Sequence, residues 1–132
     1  MAQRGRKLTA RALDGRSILV VEDEPLIALD IADALEKAGA AVLTSDTLKH
    51  ALVEVERSGI AGAIVDRALK DGDTTPLCER LNERGIPFMI YSGFSQTGRG
   101  ACALAPHLEK PATDTQLVMA MVNLLLRQPT SH

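Results

Sequence analysis

The chain has 132 residues, 45% of them hydrophobic, enough for one compact domain that needs neither disulfides nor a structural metal to hold its core. Arg4, Arg6, Lys7, Arg11 and Arg16 face only Asp14 within residues 1–16, so with a net charge of -2 the rest of the chain is distinctly acidic. An acidic body with one Tyr and two Phe argues against a broad nucleic-acid surface, and no apolar run reaches signal-peptide or membrane-span length.

Residues 1–16 read as a basic, flexible leader, 17–127 as the folded domain and 128–132 as a tail. Within the domain, short apolar runs alternate with amphipathic segments, the beat of successive strand–helix units and a parallel sheet. Strands are expected at 18–21, 41–44, 61–65 and 87–91, with a short one at 107–108. The first helix, 26–38, has Ile27, Ile31, Ala34, Leu35 and Ala38 on one stripe and Gly39 as its stop. Thr47 caps a second helix with Leu48, Ala51, Leu52 and Val55 facing in, and Gly59 lies beyond its end. Thr75 and Pro76 open a third, with Leu77, Cys78 and Leu81 inward. The fourth unit, "SQTGRGACALA", is glycine-rich and predicts only a short, mobile helix from about residue 101. The last helix opens on Thr113 and Gln116 at capping-box spacing, and its run 117–126 is apolar over more than one stripe, an excess that asks for burial or a partner. Cys78 and Cys102 lie in no CxxC and near no His at ligand spacing, so both are expected as reduced thiols of a cytoplasmic protein.

In doubly wound sheets, ligands sit beyond the carboxyl ends of the strands. The residues that follow the strands here are Glu22, Asp23 and Glu24; Asp66; Ser92 with Gly93; and Lys110 with Pro111. Three carboxylates in "ILVVEDEP" repel one another unless a cation sits among them. Mg²⁺ prefers such hard oxygen donors, with Asp23 and Asp66 as direct ligands. Lys110 can then neutralise phosphoryl oxygens, Ser92 can donate to one, and a carboxylate can itself act as nucleophile. Phosphoryl transfer asks for little beyond that positioning.

"ILVVEDE", "AIVDRALKDGD", "PFMIYSG" and "LEKP", in this order and spacing, resemble the receiver domains of two-component response regulators over residues 17 to 127. The resemblance implies a CheY-like, flavodoxin-like α/β fold with a five-stranded parallel sheet of order 2-1-3-4-5 and helices on both faces. It implies that Asp66 is the phosphoacceptor, that Glu22 and Asp23 are the acidic pair of a Mg²⁺ site completed by Asp66 and the carbonyl of Ala68, that Ser92 is the switch hydroxyl, and that Lys110 is the conserved-type lysine before a cis-prone Pro111. A histidine kinase or histidine phosphotransfer protein would supply the phosphoryl group, and a downstream protein, not nucleic acid or membrane, would read it. No output domain is evident, so a stand-alone receiver is expected, with its output face at the fourth helix, fifth strand and last helix and a homodimer through the last helix. Such a protein catalyses only its own phosphoryl transfer and dephosphorylation.

Three positions depart from the pattern. Lys70 stands where the family usually has proline, which predicts a loop after Asp66 that is more mobile or that responds to partners differently; Glu22 replaces the commoner Asp; His107 replaces the usual aromatic of the switch. "DGDT" at positions 71–74 also resembles the DxDxT nucleophile motif of aspartyl-type phosphatases. A small Mg²⁺-dependent phosphatase using Asp71 or Asp66 is the alternative, although Asp71 does not directly follow an apolar strand. "GFSQTGRG" lacks the lysine and hydroxyl of a P-loop.

Overall fold

Strand β1 (Ser17–Val21) carries four consecutive residues without exposed surface, Ile18 and Val20 in one apolar cluster and Leu19 and Val21 in another. A strand buried on both faces belongs in the middle of a sheet with helices on either side. The computed structural model, which describes residues 11–93 and 100–127, has that architecture. After β1 come α1 (Pro25–Lys37), β2 (Ala41–Ser45), α2 (Leu48–Glu54), β3 (Ile60–Val65), the two-residue strands β4 (Ala68–Leu69) and β5 (Gly72–Asp73), and α3 (Thr75–Glu83). Then follow β6 (Phe88–Ser92), a 3-10 turn (Gly100–Cys102), β7 (His107–Glu109) and α4 (Asp114–Arg127). The five long strands form one parallel sheet of order β2-β1-β3-β6-β7, the order expected. The short pair β4 and β5 forms a separate antiparallel hairpin, so the stretch after Asp66 is a paired turn, not an open loop.

Both long helices are ended by local chemistry. Pro25 opens α1 at a position whose N–H would be unpaired anyway. Gly39, at φ +102°, closes it, and a Cβ there would lie 2.0 Å from Asp14 Oδ1. For α4 the amide of Thr113 donates to Gln116 Oε1 at 2.8 Å and the amide of Gln116 donates to Thr113 Oγ1 at 3.1 Å, the reciprocal capping box that the spacing implied.

Several expectations are corrected. The boundary drawn at residue 16 cuts through packed structure: residues 11–15 form a turn whose Leu13 has no exposed surface and donates its amide to Ala38 O at 2.8 Å. The surplus apolar surface of the last helix is mostly interior, because α4 packs on both α1 and the sheet. Leu117, Val118, Met121 and Leu124 are buried, Gly62 lets Met121 and Leu125 approach β3, and of the helix's large apolar side chains only Met119 and Leu126 are exposed. The fourth helix is a single 3-10 turn, and most of the glycine-rich segment before it lies outside the described residues. Finally, Cys78 and Cys102 are not separate thiols but a disulfide. A separation of 24 residues hid the pairing, because α3 and the 3-10 turn meet only through tertiary packing.

Candidate functional site

Register assembles the site. Val21 lies level with both Ser45 and Val65, and Ser92 with Glu109, so Glu22, Asp66 and Lys110 leave the sheet on the same edge. Lys110 Nζ donates to Glu22 Oε1 at 2.8 Å across 88 positions of sequence and reaches Asp66 Oδ2 at 3.4 Å. Its ammonium also lies 5.6 Å from the centroid of the Tyr91 ring, whose hydroxyl accepts from the Ala112 amide at 3.0 Å. The Lys110–Pro111 peptide bond is cis.

One carboxylate oxygen each from Glu22, Asp23 and Asp66 lies within 4.8 Å of the others. This donor set is all hard oxygen, the chemistry Mg²⁺ selects. Burial pushes the Glu22 carboxyl above its ordinary range and the Asp66 charge adds to that, against the hydrogen bonds from Lys110 and the Glu24 amide. For Lys110, burial by itself would lower the ammonium's pKa; its hydrogen bond to Glu22 and the charges of Asp66 and Glu22 outweigh this, and the net shift is upward. The side chains of Asp66 and Lys110 remain 14% and 17% exposed while Glu22 is sealed at 1%, so of these two carboxylates it is Asp66 that a reactant arriving from solvent can reach.

Two backbone amides complete the cradle. Asp66 Oδ1 accepts from the Arg67 amide at 2.6 Å, and Asp23 Oδ2 accepts from the Lys70 amide at 2.9 Å. A proline at position 70 has no N–H to give, so the departure read as loosening the loop instead ties it to the acidic cluster. Ala68 opens β4 two residues beyond Asp66. Ser92 ends β6 nearly buried, its hydroxyl 2.8 Å from His107 Nε2. Sequence reasoning placed both residues near the site but missed the bond between them. The polar side chains of "DGDT" have other partners. Asp71 accepts from the amides of Leu48 at 2.7 Å and Lys49 at 3.1 Å, bonds that hold its carboxyl below the ordinary range. Asp73 accepts from the Thr75 amide, and the buried Thr74 hydroxyl donates to Arg67 O at 2.6 Å. Asp71 thus caps α2 from a distance and is not a member of the acidic cluster.

No family model matches the sequence. The photosynthetic apparatus regulatory protein RegA of Rhodobacter capsulatus is 26% identical over 113 residues, which are 81% of this chain and 61% of the relative. The chain therefore spans about three fifths of that relative's length. Among solved structures, SdrG from Sphingomonas melonis is 40% identical, with a TM-score of 0.72 over 87% of this chain and 98% of its own. A response regulator receiver protein from Sinorhizobium medicae is 25% identical, with a TM-score of 0.77 over 89% of this chain and 99% of its own.

Proposed function

Because the chain belongs to the CheY-like receiver-domain family of two-component response regulators, we propose that it is a phosphorylation-dependent switch that accepts a phosphoryl group on Asp66. The observation that carries this reading is the convergence of three carboxylates and one ammonium from the ends of β1, β3 and β7, with Asp66 still open to solvent. The donor is a phosphohistidine on a histidine kinase or phosphotransfer protein in the cytoplasm. A carboxylate oxygen of Asp66 attacks phosphorus, the P–N bond breaks, the imidazole departs and takes up a proton, and Asp66 is left as an acyl phosphate.

Glu22, Asp23, Asp66 and the carbonyl of Ala68 are the groups that would hold Mg²⁺. The ion supplies charge neutralisation for the phosphoryl oxygens when bound. Lys110, already within 3.4 Å of Asp66, neutralises the same oxygens from the other side. Ser92 exchanges its bond to His107 for one to the phosphoryl group, and that exchange is the switching event. The receiver comprises residues 17–127 together with the turn at 11–15 that packs on it, and its output is a protein partner at the face built by β7 and α4. Among the described residues no helix is long and apolar enough to cross a membrane.

Incubation with acetyl phosphate or phosphoramidate should give stoichiometric, Mg²⁺-dependent, acid-mapped labelling of Asp66. Asp66→Asn should abolish it. Labelling that survives this substitution, or that ignores chelation, refutes the assignment. Steady turnover of a generic phosphate ester would instead favour the phosphatase.

A further inference from the structure

The element that follows β6 has little of its own to hold it. Three residues of 3-10 helix cannot sustain themselves by backbone bonding alone. Beyond those within the 3-10 helix itself, the backbone hydrogen bonds among the described residues of the turn and its exit are Ala105 N to Cys102 O at 3.3 Å and Ile90 N to Pro106 O at 2.8 Å. Ala101 and Ala105 pack against the apolar cluster beneath it, and its covalent link to α3 is Cys102, whose Cα lies 5.5 Å from that of Cys78. Both cysteines sit in the apolar cluster that holds Phe88 and Ile90 of β6, the strand that ends on Ser92. The cystine is therefore a covalent strap between α3 and the turn, set in the same apolar cluster as the strand that ends on Ser92.

Its two cysteines are not equally enclosed. Cys78 has no exposed surface, whereas Cys102 retains 6% beside the half-buried Ala101 and the 93% exposed Leu104. An incoming thiolate meets Cys102 first.

We propose that Cys78–Cys102 is an exchangeable redox site, a cystine whose reduction by a small thiol such as glutathione, or by a dithiol protein, releases the turn at 100–106 from α3 and loosens the Ser92 end of β6. A thiolate of the reductant attacks Cys102 Sγ, the S–S bond breaks, and Cys78 sulfur leaves with the electron pair and takes up a proton. A second reductant thiolate then displaces Cys102, which is protonated in turn. The cystine gains two electrons and two protons, and the reductant becomes a disulfide. Oxidation by a disulfide of the same class runs the sequence backwards. The hold of the strap on 100–106 is independent of the function proposed above; its effect on phosphorylation rests on that function.

The full chain is equilibrated in mixtures of reduced and oxidised glutathione, quenched in acid, alkylated and weighed, and its amide exchange is followed in the same mixtures. The expected result is that two alkylation sites appear together within the glutathione range, and that amides of 100–106 exchange about tenfold faster on reduction while those of β1 change little. Cys102→Ala should show the fast exchange in every mixture, and Cys78→Ala with Cys102→Ala should reproduce it if the single variant folds poorly. Reduced protein should also take label from acetyl phosphate about threefold faster. Two free thiols in every mixture, a cystine that no glutathione mixture opens, or exchange at 100–106 indifferent to redox state would overturn the site. Redox-dependent exchange with no labelling of Asp66 in either form would uphold the strap and refute the phosphoacceptor; equal labelling rates would refute the strap's reach to Ser92.

Discussion

The two faces of the sheet are held by different means. One is covered by α1 and α4, of 13 and 14 residues, and is built almost entirely from burial: Ile31, Leu35, Leu117 and Met121 close over Ile18, Val20 and Ile64. The other has α2 and α3, of 7 and 9 residues, and a three-residue turn. Helices that short are marginal by propensity, although Leu77, Cys78 and Leu81 of α3 are fully buried. Polar and covalent ties supplement them: Asp71 caps α2 from the hairpin, Arg80 on α3 clasps Glu56 beyond α2 at 2.6 and 2.8 Å, and the cystine fastens the turn. Ser92, the proposed moving part, ends the strand against which the strapped turn packs. The long-helix face serves as the platform and the short-element face as the part whose restraints can be changed singly.

The most severe way to break this contrast is Met121→Glu, which sets a carboxylate without exposure against Gly62 and Leu117. An unpaired buried charge costs about 3–5 kcal/mol, so circular dichroism should find little folded protein. A folded variant altered only in self-association would instead place Met121 at a contact between two copies of the chain. Next come Leu35→Ala and Leu81→Ala, one on each face, each expected to cost about 2–5 kcal/mol in urea melts. Only the Leu81 loss should deepen when the protein is reduced, since only that face carries the strap. Thr113→Ala removes half of the capping box on α4 and should cost about 1 kcal/mol by the same measurement, whatever the redox state.

A smaller effect is expected at Asp71, and its pH dependence has a definite sign. The folded carboxyl is held below the ordinary aspartate range by the amides of Leu48 and Lys49, so its stabilisation is present above the unfolded pKa and is lost as the pH falls through the lower folded one. Melting temperatures of the parent protein and Asp71→Ala should therefore differ at neutral pH and converge in acid. A gap that persists in acid would mean that the carboxylate's charge is not what holds α2. At the bottom of the series, Arg80→Ala should lower stability slightly in dilute buffer and not at all in concentrated salt, because its ion pairs are exposed.

The alternation of strands and helices, the sheet order through the family resemblance, and the residues that leave each strand's carboxyl end were all legible in the residues alone. These are local or periodic signals: apolar runs of strand length, Thr113 and Gln116 three apart, Gly39 past a helix, Glu22, Asp66 and Lys110 each after an apolar stretch. Their juxtaposition, too, was legible, because a parallel sheet aligns strand ends. The pairings between elements emerged only on packing: Cys78 with Cys102, Ser92 with His107, the Lys70 amide with Asp23, Asp71 with the start of α2, and the burial of α4 on two sides. Each joins residues from 15 to 47 positions apart, or a helix to two neighbours at once. No local propensity encodes such a pair, since its partners meet only after the strands have taken register and the helices have packed, and the side-chain directions that decide who meets whom are fixed by that packing alone.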